Sequence, residues 1–412
     1  MTPARKPEAA ARRIPGWIAA GLPLAALAAL LGAMALTEPL AVFQAPLPPI
    51  EIVRFERIRV TESGFEVSLV NAGPDPVTIA QVLVDDAYWQ FTISPAAEIP
   101  RLGRATVRIE YPWVEGELHT IKLISRDGVT FEGEVPVATL SPAPGVREFG
   151  AYALIGVYVG ILPVALGMLW FPAMRRAGRR AMGAILALTV GLLVFLLVDT
   201  LLEALEVAAE VPGPFQGVPV VIFAALLTWL AISIAGARRT SPDLPEARRR
   251  LLLATLIALG IGLHNLGEGL AIGAAFALGE VALGSFLVIG FTLHNVTEGV
   301  GIVAPLVPSR GARSPKTIEG APSLRTFAGL TLLAGAPAIL GAWIGGFAFS
   351  PLLAALFLGV GAGAIWQVIV DVTGLLRRTA EREGLTMLTA ANAAGFVAGI
   401  AIMYVTALLV KF

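Results

Sequence analysis

The chain contains no cysteine. Disulfides, thiolate metal sites and cysteine nucleophiles are therefore excluded at the outset. Charge is scarce too: Asp, Glu, Lys and Arg make up 15% of the 412 residues, against about 25% in an average soluble domain. Neither sign dominates, because 30 basic residues cancel 30 acidic ones. No field of one sign points to nucleic acid, and no nucleic-acid partner is expected. Histidine occurs three times. What is abundant is apolar material, 56% of the chain, with a mean hydropathy of +0.78. Such a chain cannot cover itself with polar surface, which excludes disorder, collagen and a soluble globule and leaves a polytopic protein in a lipid bilayer. The 44 glycines and 29 prolines suit membrane helices that pack closely or break.

A helix needs about 20 apolar residues to cross the hydrocarbon. Nine segments qualify: 17–36, 150–171, 182–206, 217–236, 251–276, 281–307, 326–349, 351–376 and 386–410. Lysine and arginine set their orientation. The amino terminus carries Arg5, Lys6, Arg12 and Arg13, and later basic loops hold Arg175 to Arg180, Arg238 to Arg250, Arg310 to Arg325 and Arg377 to Arg382. The alternate connections, around 207–216, 277–281 and 350, have no basic residue. A multi-pass protein of the cell (inner) membrane is expected, its amino terminus cytoplasmic and its carboxyl terminus outside. Residues 1–36 form a basic terminus and an uncleaved anchor helix. Residues 37–149 are exported.

Within that exported block, over 50–142, Phe65, Val67 and Leu69 alternate with polar residues, as do Val107, Ile109 and Tyr111, or Ile121 and Leu123. That is the period of strands buried on one face. Turn chemistry at Asn71-Ala-Gly-Pro-Asp-Pro76 and Arg126-Asp-Gly128 separates them. Six or seven strands predict a small all-β sandwich of immunoglobulin-like type, a surface suited to a protein or glycan partner. His119 stands alone there and is expected to be solvated.

Ionisable groups inside the bilayer cost about 2.5–3.5 kcal/mol each on insertion scales and so mark function or pairing. The segment 251–276 contains His264-Asn265-Leu266-Gly267-Glu268-Gly269, and the next contains His294-Asn295-Val296-Thr297-Glu298-Gly299. The same pattern recurs in two neighbouring antiparallel spans. Residues i and i+4 lie about 40° apart around a helix, so His264 shares a face with Glu268, and His294 with Glu298. Two imidazoles and two carboxylates suit Zn2+ or another first-row divalent ion. Asn265 and Asn295 flank the same space, and their amide oxygens extend the set to a second position. Glycine after each glutamate, with Gly260, Gly262 and Gly273, allows close backbone approach.

These motifs resemble the fourth and fifth helices of the ZIP (ZRT/IRT-like) family of metal transporters, which carry H-N-x-x-E-G-type signatures. The resemblance covers residues 150–410 as an eight-helix metal-transport domain. It implies import of Zn2+, or of Fe2+, Mn2+ or Cd2+, by a homodimer. It implies one metal held by His264, Glu268, His294 and Glu298, and a second by Asn265, Glu268, Asn295 and Glu298. Asp199 and Glu203 in the second helix, and Gln367 and Asp371 in the seventh, stand along the implied metal route, with Asp371 near the inner end and facing water. Two features depart from the family. Gly335-Ala336-Pro337 replaces a glutamate–proline pair in the sixth helix, and the loop Gly236–Arg250 has no histidine.

The expected function is therefore a secondary transporter working by alternating access at mid-membrane, not an enzyme. Two alternatives compete. An intramembrane zinc-dependent hydrolase needs a spare general base, and both glutamates are already taken as ligands. A receptor or assembly subunit acting through the outer β domain does not need a duplicated buried ligand set.

Overall fold

The structure, a computed structural model, describes residues 16–37, 50–239, 245–307, 322–382, 384 and 386–410. The basic residues Arg5, Lys6, Arg12, Arg13, Arg310, Arg313 and Lys316 lie outside the described residues. The chain divides into two compact units, Met1–Ile50 and Glu51–Phe412. The described part of the first holds the apolar helix α1 (Gly16–Thr37).

The second unit opens with nine strands: β1 (Val53–Thr61), β2 (Gly64–Asn71), β3 (Val77–Val84), β4 (Ala87–Tyr88), β5 (Phe91–Ser94), β6 (Glu98–Ile99), β7 (Arg104–Glu110), β8 (His119–Ser125) and β9 (Thr130–Val135). Six or seven were expected. The additional ones, β4 and β6, are two residues long and carry no periodicity to read. All pairings are antiparallel. One sheet runs β1-β2-β7-β5, the other β4-β3-β8-β9 with β6 on β3. Phe65, Val67, Leu69, Val107 and Ile109 from the first sheet share a core with Val82, Val84, Ile121 and Leu123 from the second, each worth about 1.5–3 kcal/mol when fully buried. The expected turn after β2 is built by the Asn71 side chain. Its amide donates to the Asp75 and Ile99 carbonyls at 2.7 and 2.9 Å, and its oxygen accepts from the Gly73 N–H.

His119 corrects the expectation of a solvated histidine: it is 2% exposed. The inward side of β8 carries it beneath Phe65 and Tyr111, and its Nδ1 lies 2.8 Å from Oδ2 of Asp85. Tyr111 Oη and the Thr120 N–H also donate to that carboxylate, each at 2.9 Å. Partial burial would raise the Asp85 pKa, but the hydrogen bonds from His119, Thr120 and Tyr111 outweigh it and hold the carboxyl below its usual range. A single histidine in a polar stretch shows no such network, because the partners lie on other strands.

Among the described residues, eight helices are long and apolar enough to cross a membrane: α2 (Val146–Arg176), α3 (Arg180–Glu210), α4 (Gly213–Ala237), α5 (Glu246–Ala277), α6 (Val281–Leu306), α7 (Leu324–Ala348), α8 (Pro351–Glu381) and α9 (Ala390–Leu408). They fall on the eight later apolar segments. Several helix pairs touch backbone to backbone through glycines, most of them four positions apart. On α5, a Cβ at Gly269 would stand 2.1 Å from the Ala338 carbonyl oxygen, and on α7 one at Gly341 would stand 2.0 Å from that of Leu266. Gly395 and Gly399 of α9 press in the same way on Ala184 and Leu188 of α3, Gly363 of α8 on Ala225 of α4, and Gly167 of α2 on Val296 of α6. Small residues at this spacing let membrane helices meet at close range.

The β domain is tied to the helices by Arg57. Its guanidinium donates to the Gly346 and Phe347 carbonyls at the end of α7, each at 3.1 Å. Beneath it, Phe149 of α2 packs tilted and Tyr152 of α2 edge-on against Phe347 of α7, and Trp343 donates its indole N–H to the Phe149 carbonyl.

Candidate metal centre

Each copy of the repeated motif splits into two i, i+4 pairs that point in different directions. The first pair faces the neighbouring copy. His264 and Glu268 of α5 meet His294 of α6, and their donor atoms all lie within 4.8 Å of one another. Glu268 is the hub: its Oε1 is 3.0 Å from Nε2 of His264 and also contacts Nε2 of His294. All three side chains are buried.

The second pair of each copy packs on a flanking helix. Asn265 donates its amide to the Ala334 carbonyl of α7 at 3.0 Å, one turn from Gly269 against Ala338. Asn295 donates to the Val159 carbonyl of α2 at 3.0 Å, one turn from Gly299, where a Cβ would stand 2.3 Å from the Val164 oxygen. The second amide hydrogen of Asn295 reaches Oε2 of Glu268 at 2.9 Å. Both oxygens of Glu268 are thus engaged, one by imidazoles and one by an amide.

Since a carbonyl can only accept, each asparagine nitrogen must face the flanking helix and its oxygen must turn away. Oδ1 of Asn265, Oδ1 of Asn295 and both carboxylate oxygens of Glu298 are buried acceptors with no hydrogen-bond partner. The Asn265 amide lies near Glu298, but its hydrogen bond goes to Ala334. Buried acceptors are normally satisfied, and four unmet ones beside a His/Glu cluster suit a cation. The donor set fits: two imidazoles and a carboxylate make a three-ligand zinc set with an open position, and the amide and carboxylate oxygens suit harder divalent ions.

The structure brings together His264, Glu268 and His294. Glu298 is buried close by and outside that cluster, lining a cavity with His294, Thr297, Thr189 and Met403. Asn265 and Asn295 flank the cluster as expected for their place on each helix. In α7, Ala336 precedes Pro337, and Gly335 presses on Gly160 and Ile161 of α2 so closely that a Cβ would stand 2.6 Å from the Ile161 Cα. No carboxylate comes from this part of α7.

The route residues are spread over two other helices. Asp199 and Glu203 are half-buried on α3, and Glu203 is within electrostatic reach of Asp199, Glu206 and Glu268. On α8, Gln367 is buried; it accepts from Ser233 of α4 at 2.6 Å and donates to Asp371 at 3.1 Å. Asp371 was expected to face water. Instead it is partly buried, with Oδ2 enclosed and unpartnered, because α4 covers that face of α8.

Sequence reasoning missed the Val159 and Ala334 carbonyls, since backbone groups leave no mark on a motif. Their one visible signal is a proline just downstream in an apolar span, Pro163 and Pro337. In comparisons with known proteins, no family model matches the chain and no curated protein matches it.

Proposed function

We propose that the protein is a divalent metal transporter that carries Zn2+, or Fe2+, Mn2+ or Cd2+, into the cytoplasm, as the resemblance to the ZIP family implies. The observation that carries this reading is the buried His264–Glu268–His294 cluster, formed by two apolar helices and ringed by unmet oxygen acceptors. Burying such a set without a cation to receive would be costly. The basic loops support a cytoplasmic amino terminus, with the β domain outside as an immunoglobulin-like accessory module, and the inward direction rests on the resemblance.

The packing supports alternating access. Helices α2, α5, α6 and α7, which surround the cluster, lock together through glycine-to-carbonyl contacts, and so do the pairs α3/α9 and α4/α8. Across the seam, Gly361 of α8 lies against the His264 backbone at ordinary van der Waals distance, and other contacts are made first through side chains. A Cβ at Gly301 of α6 would meet the Thr189 methyl of α3, and one at Gly260 of α5 a Val368 methyl of α8. A seam of methyl groups suits sliding of one packed unit past another.

Uptake of radiolabelled Zn2+ by proteoliposomes tests the proposal: saturable uptake by the intact protein is expected, and Glu268→Gln should abolish it. Absence of flux for Zn2+, Fe2+, Mn2+ and Cd2+ with the intact protein would sink it. Glu298 favours one second reading, an intramembrane zinc hydrolase, because its free carboxylate beside a three-ligand cluster has the place of a general base. Metal-dependent peptide or lipid hydrolysis without metal flux would decide for that reading.

A further inference from the structure

Both helices that flank the centre are interrupted at its level, and a proline follows each interruption. In α2 the turn Val157–Ile161 is π-helical, with the Leu162 N–H reaching back to the Val157 carbonyl. Pro163 stands four positions after Val159, where an α-helix would bring an N–H to the Val159 carbonyl, and a proline has none to bring. In α7 the helix breaks between Gly335 and Pro337. The Ala336 N–H bonds Leu332 and the Ile339 N–H shortens back to Ala336, leaving Ala334 in a final turn whose carbonyls lack helical partners. The two interruptions meet at Gly160 and Gly335, whose backbones touch.

The carbonyls at these interruptions are the ones that the motif asparagines use: Val159 for Asn295 and Ala334 for Asn265. We propose that Pro163 is a positioning residue for metal binding. By withholding an N–H from its own helix, it keeps the Val159 carbonyl open for the Asn295 amide, with the asparagine oxygen turned away from α2. On the α2 side the effect extends further, because the same amide also holds Oε2 of Glu268. Pro163 touches no metal; it acts through Asn295. The arrangement rests on the metal-transport reading above and gives that site a residue that prepares one of its donors.

Direct titration of the purified full-length protein with Zn2+ and with Mn2+ tests this. Pro163→Ala restores an N–H that competes for the Val159 carbonyl. It should weaken binding by about 10–100-fold, the usual loss when a group that orients a metal ligand is removed, with Mn2+ affected more than Zn2+ because the histidines stay in place. Replacing residue 163 by lactic acid, which lacks the N–H as proline does, should restore parental affinity. In an Asn295→Ala background, Pro163→Ala should cost nothing more. Parental affinity in Pro163→Ala, or losses that simply add in the double variant, would overturn the positioning role. If Pro163→Ala does not fold, Pro163→Gly, which restores the same N–H, makes the same test. Failure of the parent to bind either metal would remove the transport reading and this one with it, whereas parental binding left unchanged by Pro163→Ala removes this one alone.

Discussion

Glu268 and Glu298 hold the same position in the repeated motif, yet their surroundings are opposite. Both oxygens of Glu268 are engaged, by His264, His294 and Asn295, whereas neither oxygen of Glu298 has a hydrogen-bond partner. A centre built on Glu268 should collapse without its charge. Glu268→Gln is expected to weaken Zn2+ binding by at least about 100-fold, beyond the loss typical of an orienting group. Glu298→Gln should cost Zn2+ roughly tenfold and Mn2+ more, since an oxygen donor matters most to the harder ion. Calorimetric titration of both variants with both metals checks the order; equal losses would mean that the two glutamates play one role.

The glycine contacts predict a sharp contrast between positions of the same residue type. Gly269→Val would drive a side chain into the Ala338 carbonyl, and Gly374 on α8 has nothing within 4 Å of an added Cβ. Gly269→Val is expected to prevent assembly of α5 on α7 and abolish a cooperative thermal transition in detergent. Gly374→Ala should leave that transition unchanged or raise it slightly, because alanine is favoured over glycine in a helix by about 0.8–1 kcal/mol.

Arg57 caps two carbonyls at the end of α7. Arg57→Ala should leave them without their donor at a cost of roughly 1.5–3 kcal/mol, typical of a hydrogen bond to a charged group. The expected signature is local: amide exchange in the last turn of α7 speeds up about tenfold or more, while exchange in β2 and β8 stays as slow as before. Unchanged exchange in that turn would show that the contact adds nothing to the α7 end.

In the β domain, the Asp85 pKa is lowered by its hydrogen bonds, so folding is favoured by the charged carboxylate. That contribution is fully present above the unfolded pKa of about 3.9 and is lost as pH falls through the lower folded value. Tyr111 behaves in the opposite sense. Burial, then the hydrogen bond to Asp85, raises its pKa, so its contribution is present below about pH 10 and fades as pH rises through the folded value. Asp85→Asn is predicted to flatten the acid limb of a stability–pH curve and to lower the alkaline titration midpoint of Tyr111, read by ultraviolet absorbance.

The i, i+4 geometry of H-N-x-x-E-G was legible because helix periodicity depends on sequence alone, and it put His264 with Glu268 on one face. The eight apolar helices were legible because membrane spans announce themselves by length. Which helix lies against which was not. A span apolar all around has no face that distinguishes a lipid neighbour from a helix neighbour, so the seats of Asn265 on α7 and Asn295 on α2 could not be read. The glycines of α5 signalled close contact without naming partners. In the β domain, alternation gave Phe65 and Leu123 their inward side, but the burial of His119 depends on Asp85, thirty-four positions away.

The link from Arg57 to Phe347 spans 290 positions of the chain. Synthesis proceeds from the amino end and domains fold as units in that order, so β1 is made and its sheet can close long before α7 exists. Arg57 must wait, hydrated at the domain's edge, until the sixth of the eight later helices is inserted and offers its carbonyls. The latch therefore reports completion: it can form only on a chain whose bundle has been built as far as α7.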